Sequence, residues 1–229
     1  MANKKITELT ELATAPASTD ILAIVDDPGG SPVTKKITVS NFLTNAGTPV
    51  IGTQQLYLPA SVWKPTATTG ALGLTTRELG ANNQNIEAME FADGADSYAY
   101  TTFVFSENWD AGTIKFKYYW FREDDEATPE SKTVEFDMDA VAIDNFEAIG
   151  GTAYGTAVSQ SDTTDSSAAE NKIMESAQSS AITINGTPTD SSLISLRIMR
   201  DDDQGTMTGS AFLVGVMIEY TIDAGTSSG

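Results

Sequence analysis

The sequence predicts a mainly β protein: a small N-terminal anchor of β-hairpin and short helix, followed by an antiparallel, jelly-roll-like β-sandwich. Three observations carry that expectation. Ile114, Phe116, Tyr118 and Trp120 fall on one face of an extended run, and Lys115, Lys117, Tyr119 and Phe121 on the other. Phe212, Val214, Val216, Ile218, Tyr220 and Ile222 continue the same period over the longest alternation in the chain. Charge is divided unevenly: residues 1–50 hold four Lys and five Asp/Glu, a net of −1. Residues 51–229 hold nine Lys/Arg and 27 Asp/Glu, a net of −18, which together give −19.

The N-terminal part reads as residues 1–45. Ile6, Leu9 and Leu12 repeat every three residues, a helical or 3₁₀ stripe too short to stand alone in water. Ile21–Val25 is an apolar strand run. Asp26-Asp-Pro-Gly-Gly-Ser-Pro32 then supplies turn residues, because Pro presets φ and Gly tolerates positive φ. Val33–Val39 alternates as the returning strand of a hairpin. Ser40 suits the N-cap of a last short turn over Asn41–Leu43. A piece of about 45 residues seldom buries enough apolar area to fold alone without staples, metal or a partner. With no Cys and no His, disulfides and the usual zinc ligands are excluded, which leaves a partner surface or oligomerisation.

Residues 46–54 read as a Gly/Pro/Thr linker, residues 55–223 as the sandwich, and residues 224–229 as a flexible Gly/Ser/Thr tail. Strands are expected at 56–59, 86–91, 98–105, 114–121, 134–143, 181–184, 194–199 and 212–222, about eight in the number typical of a sandwich. One polar face on each argues for antiparallel pairing. Ser166–Ser179 is open between helix and a loop running into a strand, since its only large apolar residues are Ile173 and Met174.

The acidic balance repels nucleic acid and anionic membranes, and no basic patch offsets it. No run approaches the ~20 apolar residues of a membrane span, and the opening residues lack the apolar core of a secretory signal. Synthesis in a reducing cytoplasm is therefore expected. Without His or Cys there is no imidazole base and no thiol nucleophile, and no glycine-rich phosphate loop is present. Carboxylate pairs remain for catalysis, but nothing in the sequence selects one pair among 32 acidic residues. No enzymatic activity, cofactor or metal is expected. Asp201-Asp-Asp-Gln-Gly205 faintly echoes a calcium loop but lacks its terminal Glu, so a polar hairpin turn is the preferred reading. Trp63 and Trp109, close to loops, are candidates for an exposed ligand surface; core packing is the alternative. Lys35 and Lys36 are either a solubilising strand edge or a charge complement to an acidic docking surface.

Lys5-Ile-Thr-Glu-Leu-Thr-Glu-Leu12, Ala15-Pro-Ala-Ser-Thr-Asp-Ile-Leu-Ala-Ile-Val25 and Thr34-Lys-Lys-Ile-Thr-Val-Ser-Asn-Phe-Leu43 together resemble the N-terminal attachment segment of tailed-bacteriophage virion proteins. Those are head fibres, capsid decoration proteins and some tail fibres. Leu58-Pro-Ala-Ser-Val-Trp-Lys-Pro65, Trp109–Trp120 and Leu213–Tyr220 resemble, more weakly, a phage β-sandwich module. The resemblance implies a homotrimeric component of the virion surface, made in the host bacterial cytoplasm. It would be held to the major capsid protein or another virion protein through its N-terminal segment. Ile21, Leu22, Ile24, Val25, Ile37, Val39, Phe42 and Leu43 would then supply apolar burial, with Lys35 and Lys36 beside them. The absence of heptads, collagen-like repeats and a β-helical shaft favours a compact knob over a long fibre. Two alternatives stay open: a tail fibre or spike component binding host surface polysaccharide, and a carboxylate-based polysaccharide depolymerase.

Overall fold

The computed structural model describes residues 19, 21–26, 33–39, 52–79, 82–122, 132–164 and 172–222. The chain divides into two compact units, residues 1–50 and 51–229. In the first, β1 (Ile21–Asp26) pairs antiparallel with β2 (Val33–Thr38), with Ile21 opposite Thr38 and Asp26 opposite Val33. This is the hairpin the turn residues predict. Lys36 is exposed, Ile37 half-buried and Val39 buried. The stripe at Ile6–Leu12 and the turn with Phe42 and Leu43 lie outside the described residues.

The second unit contains β3 (Gly52–Pro59), a single 3₁₀ turn at Ala60–Val62, β4 (Lys64–Pro65), β5 (Gly73–Leu79) and β6 (Gln84–Phe91). β7 (Ser97–Phe103), β8 (Trp109–Arg122), β9 (Thr133–Ile143) and β10 (Val158–Thr163) follow, then β11 (Met174–Glu175), β12 (Leu193–Asp201) and β13 (Ala211–Ile222). They form an antiparallel β-sandwich of jelly-roll type. The five-stranded sheet runs β10–β9–β12–β7–β4; the six-stranded sheet runs β11–β8–β13–β6–β5, with β3 also on β13. β3 begins at Gly52, inside the segment expected to be linker.

Strand alternation decides what lies between the sheets. From the six-stranded sheet come Ile114, Phe116, Tyr118, Trp120, Val216 and Ile218; from the other come Phe136, Met138, Ile194, Leu196 and Ile198, all buried. Rings interlock across the layer: Phe136 meets Phe91 at 5.1 Å and Tyr118 at 4.9 Å, both edge to face. Two polar tips bind the sheets together. The Tyr118 hydroxyl donates toward the Val134 and Gln160 carbonyls (3.3 and 3.1 Å), and Trp120 Nε1 donates to Asp162 at 2.7 Å. Burial pushes the Tyr118 phenol well above its usual range, so it stays a donor. Arg200, buried at one end, donates to the carbonyls of Phe91, Met207 and Gly209, satisfying a cation that would otherwise be costly to desolvate.

β13 changes partner along one edge. Ala211–Leu213 pair with β6, whereas Gly215–Ile222 pair with β3, and β8 runs along the opposite edge with a register shift between Leu213 and Gly215. At the changeover the Tyr57 ring lies over Gly215, where an added Cβ would stand 2.4 Å from its hydroxyl oxygen and 2.6 Å from Cζ. The same hydroxyl donates to the Val214 carbonyl at 3.3 Å.

The edge of β8 away from β13 is closed unusually. After a short one-to-one pairing, residues 176–182 offer one partner in every three. Met174 and Glu175 pair with Trp120 and Tyr119; then Ser176, Ser179 and Ile182 exchange bonds with Tyr118, Phe116 and Ile114. The Ser176 and Ser179 hydroxyls accept the Tyr118 and Phe116 amides at 3.0 and 2.9 Å. The open choice at Ser166–Ser179 thus resolves, over its described part, to a loop with the short strand β11, and a single isolated bridge at Ile182 replaces the strand expected at 181–184.

A Gly215→Ala substitution is expected to cost roughly 1–3 kcal/mol, the range for overpacking. Denaturant unfolding would measure it, and adding Tyr57→Ala should recover much of the loss by removing the ring that the new methyl strikes.

Candidate functional site

Register builds the outer face of the five-stranded sheet. Arg197 on β12 lies opposite Asp139 on β9, and Met199 opposite Asp137; Asp201 faces Glu135, and β7 brings Tyr98 beside Met199. Arg197 makes a two-point ion pair with Asp139, Nε to Oδ1 at 3.1 Å and a terminal nitrogen to Oδ2 at 2.5 Å. Its guanidinium lies between two rings, 4.4 Å from the Tyr154 centroid and 5.1 Å from that of Tyr98. Tyr154 is held in turn by a 2.7 Å hydrogen bond with Ser195. The hydrogen bond to Asp139 raises the Arg197 pKa, so the cation is permanent. A cavity of ≈ 100 Å³ beside it is lined by Tyr98, Asp137, Asp139, Ala157, Arg197 and Met199. Tyr100, on the same strand as Tyr98, is exposed.

Three carboxylates gather on the same face: Glu135, Asp137 and Asp201 each place an oxygen within 4.8 Å of the others. Glu135 accepts a hydrogen bond from Ser161. Asp201 Oδ1 accepts the backbone amides of Asp203 and Gln204 at 3.0 and 3.2 Å. That is a polar turn closed by its own aspartate, but not the hairpin turn expected: β12 and β13, which it helps to connect, lie in different sheets, so the chain crosses from one layer to the other here. Asp137 Oδ1 is buried and, among the described residues, has no partner. Burial, and then the charges of Asp201, Glu135 and Asp96, raise the Asp137 pKa; burial chiefly raises that of Asp201. Hard cations take such oxygen sets, so these are the residues that could hold one, although an acidic cluster alone does not make a site.

The six-stranded sheet presents a different outer face. Phe121 and Phe212 stack at 4.9 Å and are buried with Ala88, while the Arg77 guanidinium lies over Phe212. Val214 leads from this cluster to an open depression of ≈ 330 Å³ lined by Tyr57, Tyr119, Ile173, Val214 and Met217. Tyr57 and Tyr119 meet edge to face at 6.1 Å. Lys117 pairs with Glu175 at the rim, which raises the lysine pKa, and Lys115 pairs with Glu219 at 3.8 Å.

Trp63 and Trp109 correct an expectation. They are 1 % and 4 % exposed and belong to the core, so neither offers a surface to a ligand. Trp63 follows the 3₁₀ turn and donates its Nε1–H to the Leu58 carbonyl at 3.4 Å; Trp109 packs on Phe105 with ring centroids 4.3 Å apart and the planes tilted by 37°. Proximity to loops misled because loops at the ends of a sandwich cap its core. Among the described residues, the tyrosines that reach the outer surface of the second unit are Tyr57, Tyr98, Tyr100, Tyr119 and Tyr154. The anchoring candidates Ile21, Leu22, Ile24, Val25, Lys35, Lys36 and Ile37 all lie on the β1–β2 hairpin, and Val39 follows it directly.

No protein-family model matches the chain, and no curated protein does. Solved carbohydrate-binding modules are similar in fold. A family 28 module specific for non-crystalline cellulose is 13% identical with a TM-score of 0.42, over 71% of this chain and 87% of its own. A family 22 xylan-binding domain from Paenibacillus barcinonensis is 12% identical with a TM-score of 0.39, over 77% and 99%. The family 11 module from Clostridium thermocellum, bound to a mixed-linked tetrasaccharide, is 14% identical with a TM-score of 0.38, over 74% and 96%. Among the described residues no helix is long and apolar enough to cross a membrane.

The orphaned Asp137 oxygen sets a testable cost. The folded protein binds the Asp137 proton more tightly than the unfolded chain. The resulting penalty is therefore full above the raised pKa and gone below the ordinary value of 3.8. Asp137→Asn is expected to stabilise the protein at pH 7 by about 1 kcal/mol or less, because it removes a half-desolvated charge that Asp201, Glu135 and Asp96 repel, an effect solvent screens in part. The gain should shrink as pH falls, read as the difference between wild-type and variant unfolding curves from pH 7 to 4.

Proposed function

We propose that the protein is a non-enzymatic structural component of a tailed-bacteriophage particle, a capsid decoration or head-fibre protein. Its first unit docks on the major capsid protein or another virion protein, and its second unit is displayed. The observation that carries this reading is the division of the chain at Val50/Ile51. The hairpin of the first unit is built from the strands on which the resemblance to phage attachment segments rests. Among the described residues β1 and β2 pair only with each other, leaving each an outer edge for strand addition to a virion protein. Ile21, Leu22, Ile24, Val25, Ile37, Val39, Phe42 and Leu43 supply the apolar part of that contact; Lys35 and Lys36 supply charge. Many copies held together on one particle turn a weak contact into a durable one. The acidic second unit keeps particles apart.

A second reading is favoured by one arrangement: the Tyr98–Arg197–Tyr154 stack with Asp139 beside it and Tyr100 exposed on the same face. Rings that stack on sugar faces, next to charged hydrogen-bonding groups, suit a host-surface glycan.

Immunogold labelling of intact virions with an antibody against residues 55–222 is expected to place gold over the heads, and a chain lacking residues 1–45 should no longer decorate particles. Decoration by that truncated chain would overturn the anchoring role, and gold confined to tails would move the reading to host recognition. On a glycan array, binding that Tyr100→Ala reduces at least tenfold would support the second reading; silence across the array would remove it.

A further inference from the structure

Between β9 and β10 the loop 144–152 does something unusual for exposed chain: it holds two large apolar side chains out in solvent. Phe146 is 100 % exposed and Ile149 is 90 % exposed. The loop is tied in place. The Glu147 amide donates to the Asp144 carbonyl at 3.1 Å, and the Asp144 amide donates back to the Glu147 carboxylate at 3.1 Å. Thr152 donates to the other Glu147 oxygen, Ser192 donates to Asp144, and the Gly151 amide closes on the Ala148 carbonyl at 2.9 Å. The hydrogen bond from Thr152 lowers the Glu147 pKa, so the carboxylate that organises the loop is ionised at neutral pH. Phe146 itself sits at φ +66°, a left-handed conformation that a bulky residue rarely adopts. Backbone held in that region, carrying an apolar ring away from the core, points to binding rather than packing.

We propose that loop 144–152 is a docking knob for a second copy of this chain, with Phe146 and Ile149 entering the Tyr57–Tyr119 depression on the six-stranded sheet of that copy. The inference does not depend on where the protein is displayed. The depression is open, ≈ 330 Å³, and apolar, with Ile173, Val214 and Met217 completing its walls. It has room for an aromatic and a branched side chain together. Charge selects the same face. The knob brings the carboxylates of Asp144 and Glu147, and a second unit of net −18 repels them over most of its surface. Beside the depression stand Lys115 and Lys117, which with their glutamates bring this face close to neutral. Knob and depression belong to different sheets of the sandwich. Copies would therefore meet through two unlike patches, head to tail, an arrangement that forms rings when the rotation closes.

The test uses the full chain and two substitutions in sedimentation equilibrium. Phe146→Gly removes the ring and suits φ +66°, so the loop keeps its shape. Met217→Glu puts a carboxylate into the depression from a partly exposed position. Wild type is expected at a multiple of the 24.3 kDa chain mass, and each variant alone at the single-chain mass. An equimolar mixture of the two should form a species of two chains, because one intact knob and one intact depression remain. Wild type that stays a single chain at millimolar concentration overturns the proposal, and so does a Phe146→Gly oligomer of unchanged mass. Phe146-dependent flotation with phosphatidylcholine vesicles by a single-chain protein would overturn it too, assigning the knob to lipid.

Discussion

The whole second unit depends on how β13 is paired. Among the described strands it is the one whose two edges serve three neighbours: β8 along its length, β6 at its start and β3 over the remainder. Two strands can share one edge only if the first leaves where the second arrives, and the departure occurs at Val214–Gly215. Tyr57 fixes that point from above, its ring occupying the space that any Cβ at residue 215 would need. The contact also seats the start of the second unit. β3 is the first strand after residue 50, so its register on β13 determines where the chain enters the sandwich. The depression lined by Tyr57, Tyr119, Val214 and Met217 is the visible trace of this changeover on the outer face.

Polar groups are handled differently inside and outside the sandwich. Inside, Tyr118, Trp120 and Arg200 each have named acceptors, and they tie one sheet to the other where apolar packing alone would allow sliding. Outside, acids accumulate at adjacent positions on neighbouring strands, and Asp137 Oδ1 has no partner among the described residues. A fold optimised only for stability would not retain that arrangement. Among the described residues, the clustered carboxylates lie on the outer face of the five-stranded sheet, and the open apolar depression lies on that of the six-stranded sheet.

Much of this was legible in sequence wherever one face of a strand is apolar and the other polar. β8, β12 and β13 show that alternation, and the structure places Tyr118 and Trp120 inward and Tyr119 outward as period 2 requires. The alternating acids Glu135, Asp137 and Asp139 were also there to be read, since every second residue of β9 is a carboxylate over that stretch. What joins them to Asp201 and Arg197 is the register between β9 and β12, which local sequence does not encode. Trp63 and Trp109 failed for a related reason: a ring near a loop faces the core or the solvent according to tertiary packing. Phe146 and Ile149 were invisible as exposed groups because their exposure follows from hydrogen bonds made by Asp144, Glu147 and Thr152, not from any pattern of hydrophobicity.

The serine-studded cover on β8 has a consequence for crowding. β8 is 14 residues long, and a bare edge of that length would offer amides and carbonyls to any extended chain nearby. Where identical molecules stand close together, such an edge invites runaway pairing from one molecule to the next and, in the end, fibrillar deposits. Residues 174–182 prevent this economically. From Ser176 onward they satisfy β8 at alternate positions while advancing three residues for each two of the strand, so that stretch has no strand-like spacing for another chain to copy. Growth of the sheet stops at this border.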